Sequence, residues 1–179
     1  YGYLVTDRVR DKDAISAAFL TAEMTLYHRR SGRSLLQRLE EIWEQYGYFE
    51  EILISRKFAG QAGQQAMERL IEGLRSEPPA SIGESRVHRM KDYHAGVTVD
   101  VESGSRHSDI DLPRSNVLQF LLEDGSIVTA RPSGTEPKVK FYASCRSAAG
   151  ENGAADKQRI RDRLAAIEST VDGWVAGTE

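Results

Sequence analysis

The sequence predicts an α+β fold built on an antiparallel sheet. Three observations lead there. Helical apolar stripes occupy the first half of the chain, β-rich runs joined by hairpin signals fill its later middle, and one more helical stripe closes it.

The elements follow in order. Tyr1–Val5 is a short apolar run that reads as a strand end. Ile15, Phe19, Ala22 and Leu26 then recur at i, i+4, i+7 and i+11, one face of a helix. Asp11 or Asp13 caps its start, and Gly32 stands where a C-terminal left-handed residue belongs. Ser34-Leu35-Leu36-Gln37 is a capping box. It opens a second amphipathic helix through Leu35, Leu39, Ile42 and Tyr46, reinforced by Leu36 and Trp43 and ending at Gly47. Tyr48–Ser55 reads as a strand or an extended linker. Met67, Leu70, Ile71 and Leu74 mark a third helix, stopped before Pro78-Pro79. Between Ala80 and Pro113 the pattern weakens: Val87–Tyr93 and Gly96–Val101 are short strands, and Glu102–Ser108 is a polar loop. Val117–Leu122 and Ile127–Arg131 flank Glu123-Asp124-Gly125-Ser126, where Asp-Gly favours a type I′ turn. Along Val139–Arg146, Val139, Phe141, Ala143 and Cys145 face one way and Lys140, Tyr142, Ser144 and Arg146 the other. Ile160, Leu164, Ile167, Val171 and Trp174 form the closing helical stripe.

Composition narrows the function. At 179 residues, the chain has room for one full domain and part of another. A chain of this size buries roughly 70% of its unfolded surface, enough for a core without staples. Hydrophobic residues make up 40% and charged residues 28%, as in ordinary soluble globular domains. No apolar run is long enough to cross a membrane as a helix. The one cysteine, Cys145, excludes an internal disulfide framework and a Cys-rich zinc site, and fits a reducing compartment. A net charge of −3 gives no support to nucleic-acid binding. The first residue is Tyr1 rather than Met and no signal peptide follows, so the expectation is a chain cut from something longer.

Chemistry concentrates in Arg131-Pro132-Ser133-Gly134-Thr135-Glu136-Pro137, between the last two strands. Two prolines stiffen the segment, and Gly134 lets the backbone approach a ligand or take a positive φ. Arg131 offers a planar fork of donors suited to phosphate oxygens. Ser133 and Thr135 add hydroxyls, and the N–H groups around Gly134 suit an anion-binding nest. Lys140 supplies a second cation from the next strand. Hydrogen bonds to charged groups contribute roughly 1.5–3 kcal/mol each. Three or four of them, less the cost of association, give only about millimolar affinity, so the loop reads as one arm of a larger clamp. The plain alternative is a polar, Pro-rich hairpin with a solvated Arg and Lys. No Walker A pattern is present.

Other polar and reactive residues have structural readings. His28, His88, His94 and His107 are scattered, without metal-ligand spacing. Asp11 and Asp13 read as caps, and Glu40, Glu41 and Glu44 as a solvated helix face. Cys145 reads as a buried thiol, Trp43 and Trp174 as core, and Arg159, Arg161 and Arg163 as surface charge.

The stretch Leu112–Arg146 resembles the C-terminal domain of the α-D-phosphohexomutases, and within it R-P-S-G-T-E-P-K is similar to that family's phosphate-binding loop. Tyr1-Gly2-Tyr3-Leu4-Val5 with V-R-D-K-D-A resembles the end of the third domain in the phosphoglucomutase branch. There a sugar-binding loop reads G-E-E-S-Y-G, and Tyr1-Gly2 corresponds to its last two residues. The resemblance implies a four-domain, Mg²⁺-dependent parent. In such enzymes a phosphoserine passes its phosphoryl group to a sugar phosphate, and the bisphosphorylated sugar reorients and returns the other phosphate. The fourth domain grips the phosphate that is not transferred. Carried over by motif, Arg131, Ser133, Gly134, Thr135 and Lys140 are the phosphate ligands, Lys138 is a further candidate, and Tyr1 and Gly2 are a sugar-loop remnant.

The resemblance further implies residues 1–57 as the helical tail of a third α/β domain and 58–179 as the fourth. The fourth would have its helices on one face of the sheet, as in the TATA-binding-protein class. Expected partners are a phosphosugar and the parent's N-terminal domains, with neither nucleic acid nor membrane, and the expected location is cytoplasmic. Neither a T-A-S-H-N-like serine loop nor a D-G-D-A-D-R-like metal loop occurs here. The 179 residues alone are therefore expected to hold no catalytic or metal residue, to bind no Mg²⁺ and to be inactive. The same domain of a phosphopentomutase or phosphomannomutase, and a stand-alone phosphate-binding or interaction module, are the other readings.

Overall fold

A strand from the first third of the chain and three from its last third lie side by side in one antiparallel sheet. The computed structural model describes residues 11–58 and 60–178. Tyr1–Val5 and the Tyr1-Gly2 pair lie outside the described residues.

Helix α1 (Ala14–Arg30) is capped by Asp13, whose Oδ1 accepts from Ile15 N at 2.9 Å. It is followed by Gly32 at φ 71°. Its apolar stripe meets no core: Ile15 is 84% exposed, and no residue of α1 is buried. Helix α2 (Leu35–Tyr46) opens with the expected capping box, Gln37 N to Ser34 Oγ at 3.1 Å and Ser34 N to Gln37 Oε1 at 2.7 Å. Trp43 packs edge-on against Tyr48, with ring centroids 4.9 Å apart, and Lys157 Nζ sits over the indole.

Gly47 then turns the chain into strand β1 (Phe49–Lys57) with φ 94° and ψ 164°, a conformation that only glycine adopts readily. A Cβ there would collide with the Ser147 carbonyl oxygen. Gly47→Ala is expected to lower stability by about 3 kcal/mol through strain and overpacking together. A urea-denaturation midpoint unchanged from the parent chain would refute this.

The remaining elements are α3 (Gly60–Ser76), β2 (Ser81–Ile82), β3 (Ser85–Asp92), β4 (Val97–Asp100), β5 (Arg106–His107), β6 (Leu118–Leu122), β7 (Ile127–Pro132), β8 (Lys138–Arg146) and α4 (Ala154–Ala176). The stretch Glu102–Ser108 is thus not wholly loop, since β5 adds two ladder residues to β4. Strand order is β1-β8-β7-β6-β3-β4-β5, all antiparallel, with β2 pairing the start of β3.

The β6–β7 hairpin differs from the expected type I′ turn. Among the described residues no non-glycine has a positive φ, so Asp124 does not adopt the required conformation. Instead Gly125 N bonds Leu122 O, Leu122 N bonds Ser126 O, and Gly125 alone sits at φ 81°. This is a three-residue connection with glycine in the left-handed place, and Asp124 Oδ1 ties it to Ser126 N at 2.9 Å.

One face of the sheet carries the core. On β8, Val139, Phe141, Ala143 and Cys145 are buried, whereas Lys140, Tyr142 and Ser144 are only partly covered. Met67, Leu70, Ile71 and Leu74 of α3 join Ile160, Leu164, Ile167 and Val171 of α4 in the same apolar cluster with that face. Arg56 of β1 clamps α4 on this side, 2.7 Å from Asp172 and 2.9 Å from Glu168. Both helices therefore cover one face, and among the described residues the other stays open. Strand β1 lies within residues 1–57, yet it pairs with β8 along its whole length, from Phe49↔Arg146 to Lys57↔Lys138.

Candidate functional site

The loop from Pro132 to Pro137 closes the β7–β8 hairpin at one end of the sheet. Ser133 N donates to Lys138 O at 2.8 Å and Lys138 N to Glu136 O at 2.7 Å, so the loop folds back on its own stem. Phe58 N donates to Pro137 O at 2.8 Å and fastens it to the end of β1. Thr135 N points at Ser133 Oγ, 3.4 Å away. Among the described residues the N–H groups of Gly134 and Glu136 find no acceptor, which leaves two backbone donors at the loop tip. Gly134 has no positive φ, and a Cβ added there would touch nothing within 4 Å. Its role in the expected nest is thus an open approach to the backbone rather than a left-handed turn.

Register places the cations. Arg131 and Lys140 are direct cross-strand partners, so their side chains leave the sheet on the same, open face. Lys138 shares that face by the two-residue period. Its ammonium meets Glu136 Oε2 at 2.5 Å, and its side chain is only 20% exposed. The Lys138 hydrogen bond holds the Glu136 carboxyl below the usual range, with smaller contributions from Lys57 and Lys140. Among the described residues no ion pair forms to Arg131 or Lys140, and Arg131 is exposed.

The structure brings Arg131, Lys138 and Lys140 together. It sets Ser133 and Gly134 apart from them, lining a groove against α3 on the helix-covered side that also carries Glu68, Glu72 and Arg75. The groove's two carboxylates make it the poorer place for an anion.

Lys57 escaped sequence reasoning. It stands opposite Lys138 in the β1–β8 register, hence on the open face beside the loop. No motif includes it, because its place depends on strand pairing across most of the chain.

The other candidates fall where their plain readings put them. Cys145 is 1% exposed, burial pushes its thiol pKa up, and Ser126 Oγ lies 3.2 Å from its sulfur. Trp43 and Trp174 are partly buried against the core. Arg159, Arg161 and Arg163 are engaged by Glu151 and Asp156, by Glu50 and by Asp124 respectively. Among the described residues no group of three or more His, Cys, Asp or Glu side chains is placed to hold a metal ion. No helix among them is long and apolar enough to cross a membrane.

Comparison with known proteins matches a stretch of the chain that includes the loop. Residues 86–167, which span β3 to β8 and the first half of α4, match the family described as phosphoglucomutase/phosphomannomutase, C-terminal domain. These residues carry the C-terminal domain of the phosphohexomutase family. Phosphoglucomutase of Staphylococcus epidermidis is 36% identical over 144 residues, 80% of this chain and 26% of that protein. The Staphylococcus aureus phosphoglucomutase (strain MRSA252) is 34% identical over 146 residues, 82% of this chain and 26% of its own length. A crystal structure of pp63/parafusin, a phosphoglucomutase from Paramecium in its open form, shares the fold with a TM-score of 0.53 at 15% identity, covering 97% of this chain and 29% of that one. The chain spans about a quarter of the length of the curated relatives it matches.

Proposed function

We propose that this chain supplies the phosphate grip of a phosphoglucomutase that interconverts glucose 1-phosphate and glucose 6-phosphate. The observation that carries this reading is the cross-strand pair Arg131 and Lys140, on the open face beneath a loop tip with two unspent N–H groups. Arg131 binds two phosphate oxygens with its fork and Lys140 adds a point charge, and the Thr135 hydroxyl with Ser133 and Gly134 N–H joins this shell once the loop tip turns from the α3 groove toward the open face. Holding the phosphate that does not react provides binding energy remote from the reacting centre, which orients the sugar. The phosphoserine and Mg²⁺ chemistry belongs to other parts of the parent, in a cytoplasmic enzyme. We place the boundary between the third-domain tail and the fourth domain near Gly47, since β1 is bonded into the sheet along its full length.

The test is a titration of glucose 1-phosphate into the 179-residue chain, followed by the amide NMR signals of Arg131 and Thr135. Millimolar, saturable shifts are expected. Arg131→Ala abolishes them and Arg131→Lys weakens them, because the bidentate geometry is lost. Unchanged shifts at high millimolar ligand would sink the reading. In a coupled assay from glucose 1-phosphate to glucose 6-phosphate, the same chain is expected to give no turnover, and measurable turnover would place a catalytic group within it.

A further inference from the structure

We propose that Lys57 is a further cation of this site, and that Glu136 occupies the site's lysines until a phosphate dianion displaces it. The inference rests on reading the β7–β8 loop as a phosphate site.

Three observations carry it. First, Lys57, Lys138, Lys140 and Arg131 emerge on one face at one end of the sheet, as the pairs Lys57↔Lys138, Ser55↔Lys140 and Arg131↔Lys140 require. Second, one carboxylate stands beside the three lysines. Glu136 closes on Lys138 at 2.5 Å, whose strand neighbours are Lys57 across the β1–β8 register and Lys140 two residues on, and all three lysines favour the charged carboxylate. Third, the two partners differ in freedom. The Lys138 side chain is 20% exposed and held on the strand, whereas that of Glu136 is 57% exposed at the loop. When an anion arrives, the carboxylate is the group able to leave.

Physically, Glu136 is a built-in competitor. A carboxylate near a bound dianion repels it, and one on the lysines screens them. Without Glu136, several ammonium groups would crowd one another and the loop. With it, they stay gathered and the phosphate exchanges one anionic partner for another. Lys57 comes from β1, outside the family motif, so it links the loop's affinity to a strand of the chain's first third. Phe58, the next residue, fixes the loop through Pro137 O and holds the two parts in register.

The experiment titrates inorganic phosphate, above its second pKa and at low salt, into the full chain and its variants, reading the Gly134 and Thr135 amide signals. Glu136→Gln is expected to tighten binding and Lys57→Met to weaken it, each by about three- to fivefold, the range for one charge at a half-exposed site. Lys57→Arg should restore most of the loss, which a merely structural role for the methylene stem would not explain. Unchanged shifts away from residues 55–58 and 131–140 establish that each variant is folded. Wild-type affinity in either Glu136→Gln or Lys57→Met, while Arg131→Ala still abolishes binding, overturns this inference and leaves the phosphate reading standing. No saturable shift in the wild type, or wild-type binding by Arg131→Ala, overturns both.

Discussion

Replacing Arg75 by alanine is expected to lower the unfolding free energy by about 3–5 kcal/mol, the cost of leaving a buried charge without its partner. Asp92 at the end of β3 is fully buried. Its Oδ1 accepts from His94 N at 2.9 Å and Ala95 N at 3.2 Å, which forms the turn into β4. Its Oδ2 faces only Arg75 Nε, 3.2 Å away, in a charge contact rather than an aligned hydrogen bond. Arg75 reaches it from α3 and also holds Asn116 Oδ1 at 2.6 Å and Glu72 at 2.7 Å. One guanidinium therefore fastens helix, strand end and the approach to β6. Urea denaturation of Arg75→Ala measures the effect, and a loss below about 1 kcal/mol would mean that water replaces the pair as at an exposed site. Asp92→Asn should cost less than Asp92→Ala, because the amide oxygen still serves the turn.

The second large effect is expected at Phe141. It is fully buried in β8, between β1 and β7, and its ring centroid lies 5.9 Å from that of Trp174 on α4. Phe141→Ala removes most of an aromatic side chain where helix and sheet meet, and the surrounding strands are too well paired to collapse into the space. A loss of about 3–5 kcal/mol is expected. Phe141→Leu should cost less than half of that, since much of the volume stays filled. Equal midpoints for the alanine variant and the parent chain would place the core elsewhere.

Both residues show how far sequence patterns reach. The buried alternation of β8 was legible because it is local: every second residue from Val139 to Cys145 is apolar, and each of these four is buried. The capping box at Ser34 was legible for the same reason, since its two hydrogen bonds join residues three apart. The α1 stripe was also legible, but where it packs was not, and Ile15 and Phe19 remain exposed. Periodicity identifies an apolar face without naming its neighbour. The Arg75–Asp92 contact left no local signature, because neither residue's spacing differs from that of a solvated charge. The Asp-Gly signal announced the β6–β7 hairpin correctly and misled on its geometry, because the loop is one residue longer than a two-residue turn allows. At the candidate site, the motif proposes Arg131, Ser133, Gly134, Thr135 and Lys140 but cannot include Lys57, whose nearness is a product of pairing.

That pairing also bears on how the chain is made. Tyr48 N bonds Ser147 Oγ across 99 positions, and β1 lies beside β8 alone. At a synthesis rate of about 5–20 residues per second, β1 leaves the ribosome roughly 5–20 s before β8 follows. For that interval Ile52 and Ile54 have no strand to lie against. Long-range closure of this kind slows folding and lengthens the time an unpaired edge is open to other chains. Joining β1 to β8 is thus also the step that brings Lys57 to the loop, so a newly made chain acquires this cluster of cations only when strands almost a hundred residues apart are joined.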